Sequence, residues 1–222
     1  MRVFRVLAVL MAFGVSGATA EAATRLFIIH GIPGVTVDVY AGPAGSPIGA
    51  TPTIAGFQPK QIVDLTVGGA LTADIRIFAA GADPQSATPV IAVLGAAIPD
   101  SVELSILAHL DGSGMPTASV YQNDRSTPAP GMARVSVRHA AQAPAVQLAA
   151  GGVPKLALTN PYFGDLEVPA NTAIPLQLQV PFAGTPITGV APLSFQSGRR
   201  YFVYAIGSVS GGTFDFIVQA VQ

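Results

Sequence analysis

The hexapeptide Arg25-Leu26-Phe27-Ile28-Ile29-His30 comes back 109 residues further along as Arg134-Val135-Ser136-Val137-Arg138-His139. The same offset carries Val37-Asp38-Val39 onto Val146-Gln147-Leu148, and each of these follows a Pro-containing connection, with Pro33 in one and Pro144 in the other. A constant offset over two separated motifs marks an internal repeat, which fixes the architecture before any element is assigned. Later stretches correspond too: Phe78-Ala79-Ala80-Gly81 answers Phe182-Ala183-Gly184, and Val102 to Leu110 answers Tyr201 to Ile206. Each copy is about 100 residues long, enough for a core of its own. The expected layout is a first domain over 24–122, a linker over 123–131 and a second domain over 132–222. The linker is polar and Pro-punctuated, with Asn123, Asp124, Ser126, Pro128, Pro130 and Gly131.

Inside each copy the hydrophobic period is two. Ala133, Val135 and Val137 share one side of a strand and Arg134, Ser136 and Arg138 the other. Val35, Val37 and Val39 alternate with Thr36, Asp38 and Tyr40; Val102, Leu104, Ile106, Ala108 and Leu110 alternate with Glu103, Ser105, Leu107 and His109. Ile174, Leu176, Leu178 and Val180 alternate with Pro175, Gln177, Gln179 and Pro181, and two prolines in one strand predict an edge. Phe214, Phe216 and Val218 line one side of the last strand, with a hairpin predicted at Ser210-Gly211-Gly212. No capped stretch of helical period occurs beyond the N-terminus. Gly (24) and Pro (19) supply the turns between many short strands. The expected fold is all-β, two tandem antiparallel β-sandwich domains of immunoglobulin-like type.

Residues 1–20 read as a signal peptide. Arg2 and Arg5 precede an apolar run from Val6 to Val15, and Ala18-Thr19-Ala20 fits the small-residue cleavage rule, with Ala20-Glu21-Ala22 as a second site. The run is too short for the ~20 residues of a membrane-crossing helix, and no later apolar stretch escapes Pro, Gly or charge long enough to cross. The chain is expected to be secreted, periplasmic or cell-surface associated. It has no Cys, which excludes disulfides, thiolate metal sites, a cysteine nucleophile and a lipid-modified cysteine. Eleven basic residues against twelve acidic leave a net charge of −1, so no long-range field draws nucleic acid or anionic lipid.

The residues also carry a family likeness. Arg134-Val135-Ser136-Val137-Arg138-His139 followed by Ala143-Pro144-Ala145-Val146 resembles the opening of the bacterial secreted domain DUF4397. Ala108-His109-Leu110-Asp111 with Gly114-Met115-Pro116-Thr117, the closing Asn123-Asp124, and Tyr204-Ala205-Ile206-Gly207-Ser208 are similar to it as well. The resemblance implies tandem extracellular β-sandwich modules, often associated with cell-surface or adhesive architectures, and it implies no catalytic residues. The sequence departs from it where Val-Asp-Val is usual, because the second copy has Gln147.

Three histidines are the candidates for chemistry. His30 and His139 hold the same repeat position, and each is expected to cap its sandwich end and bond the following turn. The competing role is a metal or ligand site pairing His30 with Asp38, or His139 with a distant carboxylate, but zinc takes three or four ligands and no second His is near in sequence. His109 is expected to be an exposed strand-end residue before an Asp-Gly turn, against a loop pair with Asp111. Asp111-Gly112-Ser113-Gly114 lacks the alternating acids of a calcium loop and reads as a hairpin. No G-x-S-x-G lies after the signal peptide, and the chain contains no H-E-x-x-H or P-loop. Tyr201, Phe202, Tyr204, Phe214 and Phe216 are expected as core rather than as a carbohydrate platform. No catalytic, cofactor-binding or metal-ligating residue is therefore assigned, and no cofactor. The expected function is a non-catalytic interaction or adhesion module for a cell-envelope or extracellular protein or glycan. The alternatives are a structural spacer in a surface or matrix assembly and a hydrolase with a spatially assembled site.

Overall fold

A computed structural model describes residues 23–188 and 191–222; the signal-peptide reading lies outside them. Among the described residues every regular element is a strand, with no helix, and the strands form four sheets of four. The first copy contains β1 (Thr24–His30), β2 (Val37–Pro43), β3 (Ile54–Phe57), β4 (Ile62–Val67), β5 (Leu71–Ala79), β6 (Ile91–Ile98), β7 (Glu103–Leu110) and β8 (Pro116–Gln122). The second contains β9 (Met132–Gln142), β10 (Val146–Ala150), β11 (Val153–Leu158), β12 (Phe163–Pro169), β13 (Ala173–Gln179), β14 (Ala191–Ser194), β15 (Arg200–Ser208) and β16 (Asp215–Val221).

The two copies share one topology. Order β4-β1-β7-β8 in the first is repeated as β12-β9-β15-β16 in the second, and β3-β2-β5-β6 as β11-β10-β13-β14. In one respect the expected pairing needs amending: β1 runs parallel to β7, and β9 parallel to β15. A parallel neighbour requires a long crossover, and most of each copy's chain lies between these two strands. The second core sits between its two sheets and is built from Val135, Val137, Leu148, Leu178, Val203 and their neighbours, with Phe214, Phe216 and Val218 packed against it.

The prolines do not make β13 an edge. It lies between β10 and β14. Pro175 opposes Pro192, and its carbonyl accepts from Gly151 N (2.9 Å) where β10 ends, so the missing N–H falls at the margin of the ladder. The connection from β10 to β11 is the pair Gly151-Gly152, with φ of 59° and 77°, the two positive values that a tight hairpin turn demands. A ten-residue connection over 44–53 does the same work between β2 and β3.

The chain divides into two compact units. One ends at Ala108 and takes in Pro116–Arg125; the other comprises His109–Met115 and Ser126–Gln222. Within the second unit Asn160 Nδ2 donates to the carbonyls of Leu110 and Ala141 (both 2.8 Å), and Gln142 Nε2 donates to Ser113 O (3.2 Å).

Candidate functional site

Both repeat histidines lock the turn that follows them. His30 is fully buried; its Nε2 lies 2.8 Å from Val35 O, and Nδ1 accepts from Ile32 N at 3.4 Å. His139 repeats this with Pro144 O at 3.0 Å and Ala141 N at 3.4 Å. An imidazole that donates from Nε2 and accepts at Nδ1 is neutral. Burial holds both rings below the usual histidine range, opposed by the single carbonyl each meets.

His109 corrects the expectation of an exposed residue: it is fully buried, with Nδ1 2.8 Å from Leu110 O and the Ala140 carbonyl also facing the ring. The reason is that His109–Met115 packs as part of the second unit. Burial again lowers its pKa against those carbonyls and the nearby Asp111 charge. Asp111 is taken up by its own loop, Oδ1 accepting from Ser113 N, Ser113 Oγ and Met115 N at 2.7–2.9 Å, which makes the segment a hairpin turn. These donors hold its carboxyl below the usual carboxylate range, the Ser113 hydroxyl first.

The acid of Val37-Asp38-Val39 is buried rather than on a solvent face, and both its oxygens accept main-chain amides. Val37 pairs with Phe57 while Val39 pairs with Ile54, so β3 carries one extra residue, a β-bulge. Gly56 sits in the bulge at φ 58°, and Asp38 Oδ1 accepts its N–H at 2.7 Å; Oδ2 accepts from Gly81 N at 2.8 Å. The same device recurs on β5. The β5–β6 register slips between Ala73 and Ile75, Gly95 occupies the bulge at φ 66°, and Asp74 Oδ1 accepts its N–H at 2.8 Å. Asp74 Oδ2 takes Gly45 N (3.1 Å) and Arg76 (3.2 Å), and its carboxyl is held below the usual range by the Gly95 amide first and the Gly45 amide second. The second copy lacks both acids; its β10–β11 register slips one step further on, between Leu148 and Ala149, and the β13–β14 ladder runs without a slip. Gln147 pairs regularly with Ala157, and Pro175 stands where Asp74 does. In the first copy each Asp supplies the acceptor for the glycine amide of its bulge.

On β9, Ser136 and Arg138 lie on the side expected to face solvent, yet both are buried, Arg138 at 1% exposure. Its guanidinium lies 4.5 Å from the Phe202 ring centroid and 5.1 Å from that of Tyr204, and Nη1 donates to Tyr204 OH (2.8 Å), which donates in turn to Gln219 (3.0 Å). Phe202 and Tyr204 are thus buried partners of a cation, whereas Tyr201, Phe214 and Phe216 belong to the second core.

The matched Phe78 and Phe182 are not equivalents. Asp38 pairs with Phe78 and Gln147 with Gln179, so Phe78 corresponds to Gln179, and counting onward sets Phe182 against Gly81. Phe78 is buried, edge-on to Tyr40. Phe182 is 99% exposed, at φ 63° where Gly81 has 78°. Sequence similarity of Phe-Ala-Gly hid this, because the register differs by three residues.

These side chains define a class: a tandem β-sandwich protein whose histidines and buried acids tie turns and bulges. The chain belongs to the family described as domain of unknown function DUF4397, whose model matches residues 24–149, the whole first copy and the opening of the second. No curated protein matches the chain.

Proposed function

We propose that the protein is an exported, non-catalytic interaction module that grips a cell-envelope or extracellular partner through the second sandwich. The observation that carries this reading is Phe182. A bulky residue in the left-handed region is a conformational outlier, and a phenyl ring held wholly in water gains nothing from burial. Such strain persists where function uses it, and aromatic side chains dominate binding hot spots. Export is supported by the N-terminal pattern of residues 1–20. The non-catalytic part is supported by the histidines, whose rings are committed to main-chain partners, and by the acids committed to glycine amides.

The test is capture from an envelope extract with the processed chain and its Phe182→Ser variant. A partner retained by the first and lost by the second is expected. Equal retention sinks the role of Phe182, and retention of nothing by either favours the spacer.

A further inference from the structure

Between the sheets of the second sandwich lies a cavity of about 170 Å³. Its inner wall is Leu148, Leu178 and Val203, all buried; its outer wall is Leu193 on β14 with Phe216 and Val218 on β16, all only partly buried. β14 and β16 are the edge strands of their sheets, so the cavity reaches the open side of the sandwich. In the first copy β6 meets β8 across that side, whereas β14 makes no comparable approach to β16 among the described residues.

We propose that this cavity is a binding site for a small neutral apolar molecule: a benzene-sized ring or a hydrocarbon of similar bulk. No charged side chain lines it, and Gln177 is its one polar residue. A water molecule needs two to four polar partners and is poorly served there; cavities of ~150 Å³ lined by Leu, Ile and Phe stay dry and take benzene or xenon. Wall atoms facing a void forgo dispersion contacts, which a guest of matching shape restores. The bulk of the cavity limits the guest to about a single ring, and the lack of any charged partner excludes ions.

The experiment uses the processed full chain, with benzene as probe and glycerol as polar control. Thermal unfolding is followed together with methyl NMR. Benzene at about five times its Kd is expected to raise the Tm of the second sandwich by about 4 to 8 °C. It should shift the methyl signals of Leu148, Leu178, Leu193 and Val203, while glycerol shifts none of them. Val218→Phe, at the partly buried rim, should fold and lose the benzene response; should it not fold, xenon-induced shifts of the same wild-type methyls give the equivalent reading. Absence of any benzene or xenon effect up to solubility overturns the proposal. So does a response spread over first-copy methyls, or one unchanged in a folded Val218→Phe.

Discussion

Replacing Asp38 separates an architectural carboxylate from a functional one. Its oxygens accept from Gly56 N at 2.7 Å and Gly81 N at 2.8 Å, and the residue is 8% exposed. A hydrogen bond to a charged group contributes about 1.5–3 kcal/mol when buried. Both glycines are exposed, so water replaces part of each lost bond, and about half that value per bond is the appropriate scale. Asp38→Asn keeps one acceptor oxygen and should cost about 1 kcal/mol; Asp38→Ala leaves both amides to water and should cost about 1.5–3 kcal/mol. The matched variant Gln147→Ala should cost less than about 1 kcal/mol, because Gln147 pairs regularly with Ala157 and precedes the register shift at Leu148/Ala149. Urea unfolding of the three variants, fitted for midpoint and slope, measures this. Equal losses at 38 and 147, or an Asp38→Ala variant as stable as wild type, would refute the link between the acid and the bulge.

Four further outcomes are expected. Leu148→Ala should destabilise the second sandwich by about 2–4 kcal/mol in the same assay, since it enlarges a cavity already present. His139→Gln and His30→Gln should each cost on the order of 1 kcal/mol, the amide replacing one of two bonds. All three histidines have folded pKa values below the unfolded value of about 6.5, so the folded state binds fewer protons than the unfolded one; Tm scans should be flat above pH 7 and fall from about pH 6.5 downward, ahead of a carboxylate-linked loss below about pH 4 through Asp74 and Asp111. Phe182→Gly should leave stability unchanged or raise it by up to about 1 kcal/mol by calorimetry, because glycine fits φ 63° without strain but gains freedom when unfolded.

The repeat and the period-two alternation made the all-β tandem sandwich legible, since both act through local sequence alone. Alternation assumes that one side of a strand meets water, and it failed at Asp38, Ser136 and Arg138, which are buried on the side opposite the core. Cross-strand partners such as Tyr204 and Gln219, far off in sequence, enclose Arg138 and supply no local signal. Pro175 reads as an edge residue until the end of β10 is located beside it. The histidine turn-locks were readable because each partner lies five residues on. Phe182 was hidden by a Phe-Ala-Gly match that strand register undoes. One cue existed: Val180-Pro181-Phe182 ends the alternation of β13 on a proline, where a turn begins.

The central claim is that the second sandwich meets a partner at Phe182. The most direct measurement places a photo-reactive phenylalanine analogue at position 182 in the producing cells, with the same analogue at exposed Lys155 as control. Irradiation should give one discrete adduct from position 182 and none from position 155; no adduct from 182, or the same adducts from both positions, would contradict it.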